Sequence, residues 1–65
     1  MIIKIGNTYI NPTHVTSVKD EPNHIYYDGT TGRFIIYTVR TDEDITVPYS
    51  FMTFEQFLNE WKMGI

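Results

Sequence analysis

Met52-Thr53-Phe54-Glu55-Gln56-Phe57-Leu58-Asn59-Glu60-Trp61 is a complete amphipathic helix, and its reading decides the fold. Thr53 is a good N-cap, Gln56 three residues later completes a capping box, and Met52 and Phe57 take the hydrophobic-staple positions. Phe54, Phe57, Leu58 and Trp61 recur at helical spacing and make one apolar stripe, which needs a sheet to cover, while Gly64 suits a C-terminal cap. Everything before Met52 reads as strand and turn.

Working back toward the N-terminus, Ile45-Thr46-Val47 alternates as a half-buried strand that Pro48 ends, and Arg40-Thr41-Asp42-Glu43-Asp44 reads as a charged turn. Arg33 to Val39 is the longest predicted strand. Phe34 and Ile36 lie on one of its faces, and Ile35, Tyr37 and Val39 on the other. A strand apolar on both sides is either central in a covered sheet or offers one face to a partner, and a chain this short has little left for a second layer. Asp28-Gly29-Thr30-Thr31-Gly32 is the clearest hairpin signal, preceded by a short strand at Ile25-Tyr26-Tyr27. Lys19-Asp20-Glu21-Pro22-Asn23, charged and proline-containing, predicts an exposed loop. Thr13 to Val18 predicts a strand, with Val15 and Val18 at a spacing that fits a bulge or a helical turn. Asn11-Pro12-Thr13 breaks regular pairing, because proline cannot donate to a ladder. Before it, Ile2, Ile3 and Ile5 lead through Gly6-Asn7 to Tyr9-Ile10, a first hairpin.

The 65 residues make one domain, 1–65. A chain of that size buries only about 60% of its unfolded surface, so it is expected to be marginally stable. With no cysteine and only His14 and His24, disulfides and a zinc site are poor candidates for reinforcement, which leaves self-association. Four Phe, five Tyr and one Trp supply much apolar area for a small chain, and part of it is expected at the surface.

Eight acidic and five basic residues give a formal charge of −3 without a basic stripe. Duplex nucleic acid is therefore not an expected partner, and the carboxylates are too sparse to imitate a phosphate backbone. No apolar run approaches a membrane span, and Met1-Ile2-Ile3-Lys4-Ile5 is too short for a secretory apolar region, so no membrane association and a cytoplasmic location are expected.

Catalysis finds little footing. Ser17 and Ser50 stand outside any nucleophile elbow, and neither histidine is spaced to serve as their base. Asp42-Glu43-Asp44 lacks the alternating ligands and central glycine of a calcium loop. The predicted protein is not an enzyme and has no catalytic residue, metal or cofactor. Tyr26, Tyr27, Phe34 and Tyr37 with Arg33 and Arg40 can form, on adjacent strands, an aromatic platform with basic margins, as used to stack single-stranded bases. The competing reading makes alternate members core and the outward tyrosines a subunit or partner interface, and the overall negative charge favours it. No glycine-rich phosphate loop precedes a helix.

Gly6, Tyr9, Ile10-Asn11-Pro12, Val15, Val18, Pro22, Val47, Ser50, Phe54 and Leu58 occur in an order that resembles the FlbD-like family of very small bacterial proteins. The Asp28 to Gly32 hairpin and the aromatic helix ending at Trp61 depart from that family's pattern. The resemblance implies a small β-meander used for protein contacts, without a catalytic site, and the chain's size is also similar to that of bacteriophage accessory proteins.

The predicted fold is α+β, mainly β: four to five antiparallel strands in a curled meander closed by a C-terminal helix over 54–62. Phe54, Phe57, Leu58 and Trp61 are expected to meet Ile5, Ile10, Val15, Val18, Ile36 and Val47 in the core. The expected function is a non-enzymatic protein-binding module, a bacterial or phage regulator or inhibitor acting as a homo-oligomer through Tyr26, Tyr27, Arg33, Tyr37 and Arg40. The alternative is a nucleotide or single-stranded nucleic-acid binder using the same residues.

Overall fold

A computed structural model describes residues 2–40 and 44–63. The first hairpin pairs β1 (Ile3–Ile5) with β2 (Thr8–Ile10), joining Ile3 to Ile10 and Ile5 to Thr8. Its two-residue loop works because Gly6 takes a φ of 59° while Asn7 stays negative, the pattern of a type II′ turn. Pro12–His14 then form one 3-10 turn. Asn11 caps it, its Oδ1 accepting from the Thr13 backbone N–H, and the fully buried Pro12 ring anchors it.

The remaining strands form a second antiparallel sheet in the order β3 (Val15–Ile25), β4 (Thr31–Thr38), β5 (Ile45–Pro48). The five strands among the described residues are thus divided between a two-stranded and a three-stranded sheet. The mainly-β meander with one C-terminal helix is as the sequence predicts.

Three details correct the sequence reading. Lys19 to Asn23, expected as a loop, lies inside β3, whose 11 residues exceed the 8 of β4. The segment is polar because it borders the sheet, where proline and charge are tolerated and discourage further pairing. Ile25 ends that strand, and Tyr26 and Tyr27 belong to the turn instead. The register accounts for the proline: Glu21 opposes Arg33 and Ile25 opposes Thr31, so Pro22, Asn23 and His24 bulge against Gly32 alone. A second bulge inserts Thr16 between the Val15–Thr38 and Ser17–Tyr37 pairs, and the Thr16 hydroxyl donates to the Tyr37 carbonyl.

Helix α1 (Phe54–Met63) starts with the expected capping box: the Thr53 N–H donates to Gln56 Oε1 and the Gln56 N–H to Thr53 Oγ1. Gly64, read as its C-terminal cap, lies outside the described residues. The core joins Ile3, Ile5, Ile10, Val15, Phe34, Ile36, Val47 and Phe57, with Val18, Met52, Phe54 and Trp61 packed at its margin. Phe34 and Phe57, both 0% exposed, meet at 5.3 Å between ring centroids. Phe34, expected on an aromatic platform, is therefore core. Its alternation with Gly32 and Ile36 points it toward the helix. Leu58 is half-buried and lies outside the packed margin, so of the four helix residues expected in the core only Phe57 is fully enclosed. Trp61 is fixed differently, its indole N–H donating to the Pro12 carbonyl at 3.1 Å.

Candidate interaction surface

The face of β4 turned away from the helix carries Arg33, Ile35 and Tyr37. Directly opposed residues in an antiparallel pair share a face, so Glu21, Lys19 and Ser17 of β3 and Pro48 and Thr46 of β5 join them. Ile35 and Tyr37 are half-buried. Toward the β3–β4 turn the face is ionic: Arg33 Nε lies 2.6 Å from Glu21 Oε1, and Lys19 Nζ lies 3.6 Å from Glu21 Oε2. The hydrogen bond from Arg33 holds the Glu21 carboxyl below its ordinary range, and the same bond raises the Arg33 guanidinium, with the Tyr26 hydroxyl acting in the same direction. Both cations of this face are thus already engaged by one carboxylate.

The connecting turn is closed by its own hydrogen bonds. Tyr26 N donates to Thr30 O at 2.8 Å and Gly29 N to Tyr26 O at 3.0 Å. Asp28 Oδ1 accepts from both the hydroxyl and the N–H of Thr30, and chiefly the hydroxyl bond keeps the Asp28 carboxyl below its usual range. Tyr27 stands at the tip, fully exposed, whereas Tyr26 is half-buried and meets the His24 ring edge-on at 4.7 Å. Tyr26, Tyr27, Asp28, Thr30, Pro48 and Ser50 line a shallow groove of about 300 Å³.

Behind this groove the sheet is clasped crosswise. Tyr49, just past β5, lies over Gly32 of β4, and its hydroxyl donates to Asp20 Oδ1 on β3. A β-carbon at position 32 would collide with the edge of the Tyr49 ring, and Gly32 has a φ of 95°. Both facts require glycine there. The bond to Asp20 stabilises the protonated phenol and pushes the Tyr49 pKa up to about 12.

The structure therefore brings Tyr26, Tyr27 and Arg33 to one end of the sheet and sets Tyr37 farther along the same outer face. Arg40 is not part of that group. It lies past the other end of β4, beside a groove of about 340 Å³ whose lining includes Tyr9, Asn11, His14 and Val39. Four separate stretches of the chain, around Ile2, Tyr9 to His14, Thr38 to Arg40 and Ile45, line this second groove, so no local motif announces it. The charged turn expected at Arg40 to Asp44 falls largely on residues 41–43, outside the described residues.

Among the described residues no hydrogen bond joins a serine to a histidine, and no three His, Asp or Glu side chains gather as a metal site. No described helix is long and apolar enough to cross a membrane. Comparison with family models, curated proteins and solved structures finds no match.

Proposed function

We propose that this chain is a small non-enzymatic protein-binding module, a cytoplasmic regulator or inhibitor of bacterial or phage type that acts as a homo-oligomer. The observation that carries the reading is the uncovered outer face of the three-stranded sheet. The helix and first hairpin supply the core on the opposite side, and Ile35 and Tyr37 stay half-exposed. Tyr27 and Phe51, at 110% and 72% exposure, extend apolar surface beside the neighbouring groove end. A closed turn and a clasped sheet hold these side chains without a large ordering cost on binding. The resemblance to FlbD-like proteins and to phage accessory proteins supports the same class.

Native mass spectra over a concentration series test this reading. Oligomers that dissociate in Tyr37→Asp, with an unchanged melting curve, support it. A wild-type monomer at every concentration that also captures no partner sinks it.

The alternative reading, a nucleotide or single-stranded nucleic-acid binder, draws on the same tyrosines. Its support is weaker, because Glu21 already engages Arg33 and Arg40 lies at the far end of β4. Titration with short oligonucleotides at low salt discriminates: binding that weakens with salt and with Arg33→Ala favours this alternative.

A further inference from the structure

The groove beside the β3–β4 turn is walled by two segments that their own hydrogen bonds hold in place. On one side the turn is closed through Tyr26 and Gly29, and the His24 ring backs Tyr26 edge-on at 4.7 Å. On the other, Phe51 N and Met52 N donate to Pro48 O at 3.0 and 3.4 Å, and Tyr49 N donates to Gly32 O at 3.1 Å. The groove is thus formed before any ligand arrives. The undescribed residues adjoin Ile2, Arg40, Asp44 and Met63, and none of these four lines it.

Its chemistry is the second observation. Tyr26, Tyr27 and Pro48 give it flat apolar rings, Asp28 is its one carboxylate, and no described lysine, arginine or histidine lines it. Asp28 is exposed, and its bonds from Thr30, the hydroxyl's above all, keep the carboxyl below its usual range and so ionised at neutral pH. The described ion pairs both use Glu21, so Asp28 meets no described cation. The complement of such a lining is a cation carried next to a flat apolar body. Backbone pairing is closed at Pro48, which has no N–H and whose carbonyl already accepts from Phe51 and Met52. A guest here is therefore held by side chains and not as an added strand.

We propose that this groove is a docking site for a basic, proline-containing segment of a protein partner in the polyproline II conformation. Proline rings rest on Tyr26 and Tyr27, and an arginine one turn further along pairs with Asp28. This rests on the protein-binding reading and gives it a partner chemistry. A polyproline II helix repeats every three residues, about 9 Å, so side chains three apart point the same way, and its backbone is ordered before it binds. A free small molecule fits less well, because Tyr27, one wall of the groove, is fully exposed and encloses nothing.

The test is an amide-resolved NMR titration of the whole chain with acetyl-Ala-Pro-Pro-Ala-Arg-Ala-amide, its Gln-for-Arg analogue, an analogue with alanine for both prolines, and maltose. The expected result is a shift of the Tyr26, Tyr27, Asp28, Thr30 and Ser50 amides with the proline-arginine peptide. Affinity should fall about two- to fivefold with the Gln analogue and with Asp28→Asn, the size of an exposed ion pair. It should fall at least about fivefold with the proline-free analogue and with Tyr27→Ala. Asparagine can accept the same turn bonds from Thr30, and Tyr27 is fully exposed, so both variants keep the fold, which unchanged melting curves check. No shift with any peptide, equal response to the proline-free analogue, shifts confined to the Arg40 end, or tighter binding of maltose than of the peptide would overturn the assignment. Native mass spectra of wild type and Tyr37→Asp separate the two readings. Oligomers that this variant dissociates leave the protein-binding reading standing when the groove fails.

Discussion

The two faces of β4 differ more than any two regions of the molecule. On one, Gly32, Phe34 and Ile36 are buried, and Phe34 and Ile36 are completely enclosed by the helix and the first hairpin. On the other, Arg33, Ile35 and Tyr37 remain half-exposed, flanked by the charges of β3. Six consecutive residues thus serve two purposes through the two-residue period of a strand. The inner face holds the fold by shape, and the outer face holds charge and ring edges available to a partner. Substitutions on the inner face should register in stability, and those on the outer face in association.

The largest effect expected is at the ring pair. Phe34→Ala or Phe57→Ala should cost about 3–5 kcal/mol. A domain of this length has only roughly 3–10 kcal/mol in total by its per-residue stability. Urea melts should therefore lose their cooperative transition or shift far to lower denaturant, while Ile35→Ala on the opposite face shifts the midpoint much less. Equal shifts for Phe34→Ala and Ile35→Ala would erase the distinction between the faces.

Next in size is Gly32→Ala. Backbone strain at positive φ contributes roughly 1–3 kcal/mol, and collision with the Tyr49 ring adds to it, giving a loss of about 2–4 kcal/mol. Tyr49→Ala in the same background should recover part of it by making room. No recovery in the double variant would mean that the ring does not limit position 32.

Glu21 on the outer face and Tyr49 on the inner side predict two smaller pH effects of opposite sign. Glu21 is held below its ordinary value of 4.5, so its contribution is present above that value and is lost as pH falls through the lowered folded pKa. Thermal melts between pH 5 and about 2 should show a shallower acid decline in Glu21→Gln. Tyr49 works in reverse: raised from 10.0 to about 12, its contribution is complete below pH 10 and is lost as pH rises through about 12. Tyr49→Phe should flatten that alkaline slope. The smallest effect on stability is expected for Tyr27→Asp, whose side chain is fully exposed: an unchanged melt, read beside a weakened oligomer in native mass spectra.

Much of the inner face was legible from the chain itself. The capping box of Thr53 and Gln56, the Gly6-Asn7 turn, and the role of Phe57 follow from local chemistry with no knowledge of distant contacts. Phe34 was harder: its strand is apolar on both sides, and periodicity separates the two faces without saying which one the helix chooses. The stretch from Lys19 to Asn23 misled for a related reason. A polar border strand with a proline at a bulge has the composition of a loop, and only its pairing with β4 reveals it. The division of the expected surface has the same origin. Tyr26 and Arg33 are brought together by a turn visible in the sequence, whereas Arg40 lines one groove with Tyr9 and His14, which come from remote segments.

The hydrogen bond from Trp61 to Pro12 joins residues 49 positions apart and ties the closing helix to the turn after the first hairpin. Trp61 is also the only tryptophan of the chain. The protein therefore carries its single indole fluorophore at the seam between helix and turn, 6.1 Å from the ring of Phe57. Its emission reports the seating of that seam, whereas circular dichroism averages over all the strands. If the helix lifts away before the sheet comes apart, the red shift of that single lamp precedes the loss of β signal. If the two curves coincide, the seam and the sheet form one cooperative unit.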